Sequence, residues 1–166
     1  MELKKGTKMI KILFLYIGNY FTKPIISFIV NLIYWLFHIF KLKSVLENKN
    51  NIKDTVVNIT DVQNQMKKFK WTKDTLFDWS PWVLTILNND YKDDCDGAVN
   101  LGKFLLNNIG IKSSVINLYG DGGHAVCISK DKKIMISNNE VVKLDPKNWK
   151  SDIFKSFNNK YNIIIY

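Results

Sequence analysis

Two cysteines and two histidines bound the nucleophilic chemistry open to this chain. His38 falls inside an apolar run, so a thiol–imidazole pair in the remainder must use His124. Of the two thiols, Cys95 is the stronger candidate. It follows Asp93-Asp94, either of which can cap a helix, and so sits in the first helical turn. Unpaired backbone N–H groups and the positive end of the helix dipole favour thiolate there. Gly97 and Ala98 leave room beside it. Asp93, Asp94 and Asp96 act the other way, because neighbouring carboxylates disfavour a second negative charge. Cys127 lies three residues after His124. An odd offset in a strand places the two on opposite faces, so Cys127 reads as a small buried hydrophobe. Asn138 ends the following strand and is placed to fix the imidazole tautomer, the third role in a Cys-His-Asn arrangement. A zinc site built from Cys95, His124 and Cys127 lacks a second closely spaced ligand pair, so neither metal nor cofactor is expected.

These residues need elements to hold them. Val62, Met66 and Phe69 share one stripe of a helix over Val62–Phe69. Trp71, Phe77, Trp79, Trp82 and Leu87 form an aromatic-rich stretch interrupted by Pro81, read as core packing. Ala98, Leu101, Leu105 and Ile109 recur at helical spacing until Gly110 stops the helix. Ile111–Tyr119, His124–Ser129 and Ile134–Asn138 read as strands, with turns at Gly120–Gly123 and Lys130–Lys133. Tyr161–Tyr166 is a candidate last strand. Helices followed by a meander of strands give an α+β fold.

Asp78-Trp79-Ser80-Pro81-Trp82, Asp93-Asp94-Cys95-Asp96-Gly97-Ala98 and Gly123-His124-Ala125-Val126 resemble the transglutaminase-like cysteine peptidases. The three motifs occur in order and span roughly residues 60–145. The resemblance implies a papain-like core, with the catalytic cysteine on a central helix packed against an antiparallel sheet. It implies Cys95 as nucleophile, His124 as general base and Asn138 as the orienting residue. The commoner family pattern has aspartate there, and Ser137 or Asn139 aligns after a one-residue shift. The chemistry implied is acyl transfer on peptide or amide bonds of a protein or peptide substrate, through a thioester. The backbone N–H of Cys95 is the obvious first oxyanion donor, and the Trp82 indole a second option. The superfamily also contains members without activity, so a silent interaction domain tethered to a membrane is the alternative. An acyltransferase using a small-molecule donor is a further one.

Charge excludes one class of partner. The 166 residues carry a net charge of +9 with no arginine, the usual bidentate reader of phosphate and guanine. Residues 1–53 hold nine lysines and two acids, whereas residues 54–166 hold fifteen lysines and thirteen acids. The larger part thus lacks the concentrated basic face of a nucleic-acid binder. The basic third instead resembles a membrane segment. Lys4, Lys5, Lys8 and Lys11 precede two apolar runs, Ile12–Ile17 and Ile25–Phe40. The second is broken only by Ser27, Asn31 and His38, is opened by Pro24, and is bounded by Lys23, Lys41 and Lys43. A single-pass anchor is expected, against an interfacial helix or a helix packed on the domain. The domain plan is then a membrane-anchor-like segment over 1–45, an asparagine-rich linker over 46–59 and the catalytic domain over 60–166.

Overall fold

The computed structural model describes residue 17, residues 21–73 and residues 79–166. Lys4, Lys5, Lys8, Lys11, the run before Ile17, Phe77 and Asp78 lie outside the described residues.

The sequence folds as α+β around an antiparallel sheet. Its strands are β3 (Ser113–Gly120), β4 (Gly122–Ser129), β5 (Ile134–Ser137), β6 (Glu140–Lys143) and β7 (Tyr161–Ile165). Their order in the sheet is β6-β5-β4-β3-β7, each pair antiparallel. A separate parallel pair joins β1 (Lys70–Trp71) to β2 (Lys92–Asp93). Before and between these run α1 (Lys23–Phe37), α2 (Leu42–Thr55), α3 (Ile59–Met66), α4 (Val83–Asn88), α5 (Cys95–Asn108) and α6 (Trp149–Ser156).

The sheet has two buried faces because its strands alternate apolar residues to both sides. One face meets α5. Ala125, Cys127, Ile134, Ile136 and Val115 pack there with Ala98, Leu101 and Leu105 of the helix. Gly102 allows the close approach, since a Cβ there would meet the Ile136 side chain at 3.1 Å. The other face carries Ile116, Leu118, Val126, Ile128 and Met135 and is covered by Ile153, Phe154 and Trp149 of α6.

Helix starts follow local chemistry. The Asn58 side chain accepts from Thr60 and Asp61 N–H, and Asp61 reaches back to the Asn58 N–H, a capping box that starts α3. Asp94 caps α5 by accepting from Asp96 N–H. Gly110 ends that helix region with φ of 78°.

Two expectations for the N-terminal third change. The asparagine-rich stretch read as a linker is largely helix: α2 buries Val45 and Ile52 in the same core as α5, and Val56 follows them. Their spacing is helical, but lysine and asparagine between them hide it. The apolar run, in turn, is broken at His38. The α1 axis meets the segment Ile39–Thr55 at 80°, and no single helix among the described residues is long and apolar enough to cross a membrane. Moreover, α1 turns its polar residues inward. Ser27, Asn31 and Trp35, spaced i, i+4, i+8, are buried, while Ile25, Phe28, Ile29, Leu32, Ile33, Leu36 and Phe37 are exposed.

Candidate functional site

Cys95 opens α5 at the sheet end where β3 turns into β4. The thiol is half-buried and lines a cavity of about 280 Å³ with Asp94, Asp96, Lys23, Asn117, Tyr119 and His124. The tight first turn depends on Gly97. A Cβ there would come within 2.5 Å of the Asp93 Cβ, so any side chain would displace the buried Asp93 that precedes the cap. The thiol sulfur takes a hydrogen bond from the Ala125 backbone N–H of β4. Burial, then the Asp96 and Asp94 carboxylates, push its pKa up to about 12. The Ala125 N–H and Lys23 pull in the opposite direction without prevailing. At neutral pH Cys95 is therefore a thiol. Desolvation and two flanking carboxylates favour the thiol over the thiolate.

His124 reaches the same cavity from the other side of β4. Its ring lies nearly parallel to Tyr161 at 5.9 Å between centroids and edge-on to Phe157 at 5.2 Å. Both rings belong to the α6 side of the sheet. The alternation that opposes Cys127 to His124 thus leaves Cys127, not His124, on the face that α5 covers. Cys127 is fully buried there, and burial raises its thiol pKa to about 11. Among the described residues no hydrogen bond joins Cys95 to His124. Burial, then Lys160, lowers the His124 pKa to about 4, so the imidazole is neutral at pH 7 and holds a free base.

The residue hydrogen-bonded to the His124 ring is Ser137 and not Asn138. His124 Nε2 and Ser137 Oγ are hydrogen-bonded at 2.9 Å. Ser137 shares strand parity with Met135, on the α6 face, and so meets the His124 ring. Asn138 begins the two-residue β5–β6 turn, between the paired residues Ser137 and Glu140. Its φ of 49° lies in the left-handed region that asparagine tolerates. Its Oδ1 is buried with no hydrogen-bond partner among the described residues. Asn139 follows in the same turn, and its carbonyl accepts from Gln63 of α3. Trp82 lines a different cavity, with Asn100 and Lys103, away from Cys95.

Sequence reasoning had missed Lys23 and Asp96 as a pair. Lys23 Nζ forms an ion pair with the Asp96 carboxylate one residue after the thiol, tying the start of α1 to the start of α5. A second cavity of about 290 Å³ adjoins the first and is lined by Lys23, Pro24, Ser27, Ser80, Asp96 and Tyr166. Nothing in the sequence joins positions 23 and 96, since their meeting depends on how α1 docks.

What the cavity holds, then, is a protonated thiol and a neutral imidazole, an acid–base combination able to pass a proton during attack rather than before it. Among the described residues no group of three or more histidine, cysteine or acidic side chains is arranged to hold a metal ion. Compared with known proteins, the chain matches no family model, no curated protein and no solved structure.

Proposed function

We propose that the protein is a thiol hydrolase or acyl transferase acting on peptide or amide bonds, built on a transglutaminase-like core. The single observation that carries this reading is that Cys95, at the N-terminus of the central helix, and His124, on the adjacent strand, line one cavity. The thiol proton moves to His124 as the Cys95 sulfur bonds to the substrate carbonyl carbon. The oxygen takes up the negative charge, and the Cys95 backbone N–H, free of an intrahelical acceptor in the first turn, is its donor. The C–N bond breaks, the amine leaves with the proton from His124, and a thioester remains. Water attack on the thioester gives an acid; amine attack gives a new amide. Reaching Sγ requires the imidazole to leave the Tyr161 stack and its hydrogen bond to Ser137.

The Ser137 hydrogen bond on the α6 side favours the second reading, a silent domain of the same fold, because it occupies His124 away from the thiol. One experiment separates them. The full chain is treated with an activated ester, and the acylated residue is located by peptide mass spectrometry. Acylation at Cys95 that turns over, and slows at least about tenfold in His124→Ala, supports the hydrolase. Slow labelling that His124→Ala leaves unchanged sinks it in favour of the silent domain.

A further inference from the structure

The geometry points to the outward face of α1 as an in-plane anchor that seats the folded domain on an anionic bilayer surface. The face is Ile25, Phe28, Ile29, Leu32, Ile33, Leu36 and Phe37, continued by Ile39 and Phe40, with Phe37 81% and Phe40 97% exposed. On a helical wheel these residues occupy one contiguous half. A soluble domain would turn this half inward; here the opposite half is taken up by hydrogen bonds to the domain. Asn31 Nδ2 donates to the Ser80 carbonyl, while Asn31 Oδ1 accepts from Trp82 N–H and Thr85 Oγ1. Ser27 Oγ accepts from Ser80 N–H, and Trp35 Nε1 donates to Thr85 Oγ1. The polar seam fixes which half remains outside.

Length and charge select the occupant. Fifteen helical residues span about 22 Å, short of a hydrocarbon core of about 30 Å. The continuation is no help to a spanning path, because α2 turns away by 80° and is held by Val45 and Ile52 in the core. A helix lying flat needs neither length nor continuation. Trp82, partly exposed and edge-on to Phe28 at 6.0 Å, extends the face with a residue type suited to the headgroup level. Lys41 and Lys43 are exposed at its end, in a region with nine lysines against two acids. Anionic headgroups complement that charge, whereas a second copy would bring like charge to like.

The test uses the full chain and vesicles of phosphatidylcholine alone or mixed with phosphatidylglycerol. Sedimentation should show binding at least about tenfold tighter to the anionic vesicles. The double change Leu32→Glu, Leu36→Glu should weaken it about a hundredfold while leaving the melting temperature unchanged, since both positions are exposed. Phe37→Glu with Phe40→Glu, outside the polar seam, repeats the test should the first pair disturb folding. Alkaline carbonate should release the wild-type chain. Unweakened binding by the folded variants, carbonate-resistant insertion, or a vesicle-indifferent chain that sediments as a discrete dimer would each overturn the assignment.

Discussion

Helices α1 and α5 are nearly equal in length, fifteen and fourteen residues, and are seated by opposite chemistry. Helix α5 buries Leu101, Leu105 and Leu106 completely between the sheet and α3 and α4. Helix α1 buries Ser27, Asn31 and Trp35 and leaves its leucines outside. Hydrophobic burial therefore anchors α5, whereas α1 is anchored by a hydrogen-bonded seam and one buried tryptophan, Trp35. The difference shows that apolar content predicts burial only when another element is there to receive it.

The largest contrast should come from cutting one leucine on each helix. Leu105→Ala should cost about 2–5 kcal/mol, because it opens a cavity in a filled core. Leu32→Ala should stay within about 0.5 kcal/mol. Urea unfolding monitored by circular dichroism measures both, and equal losses would mean that α1 is covered in the free protein.

Acid should weaken the sheet end near α5 next. The His124 pKa is lowered in the folded state to about 4, below its ordinary 6.5. The unfolded chain therefore binds more protons across that window, so the contribution is complete above pH 6.5 and is lost as pH falls through 4. It is on the order of 2–3 kcal/mol. Unfolding free energies of wild type and His124→Gln between pH 7 and pH 4 should converge as pH falls; parallel curves would place the titration elsewhere.

On the α1 side, Asn31→Ala should cost about 1–3 kcal/mol, by stranding the Trp82 N–H and Thr85 hydroxyl. Hydrogen exchange should show the loss concentrated in α1 and around residues 80–85, with α5 protection barely changed. Uniform loss would argue that the two helices unfold as one unit.

The smallest effect concerns Cys95 itself. Asp94→Asn keeps a capping oxygen and removes one of the two carboxylates that raise the thiol pKa. Iodoacetamide should modify Cys95 before the fully buried Cys127, and the variant should react a few-fold faster at fixed pH. A slower rate in Asp94→Asn would mean that cap geometry, not charge, governs the thiol.

Much of the α5 half was legible. Dense β-branched residues and glycine or lysine turns mark β3, β4 and β5, and Asp94 with the Ala98–Leu101–Leu105 spacing marks α5. Strand β6 escaped because Glu140-Val141-Val142-Lys143 is four residues long with charged ends. For the site, strand parity correctly opposes Cys127 to His124, but parity names no face. Only tertiary packing decides that α5 covers Ala125 and Cys127. The same gap separated Ser137 from Asn138. On α1 the readable signal was Ser27, Asn31 and Trp35 at four-residue spacing, which marks an inward polar stripe; mean apolarity, being blind to direction, concealed it.

The seam between α1 and the domain has one more consequence. Ser27, Asn31 and Thr85 exchange hydrogen bonds that water can replace one for one, so parting the seam strands few polar groups once solvent enters. The apolar contacts broken in the same step are chiefly those of Trp35 and Tyr34. The helix can consequently open as a local unit while the sheet and α5 stay folded. Because Lys23 binds Asp96, every such opening also removes a cation from beside Cys95. The thiol's surroundings thus fluctuate with a hinge that lies seventy-odd positions away in sequence.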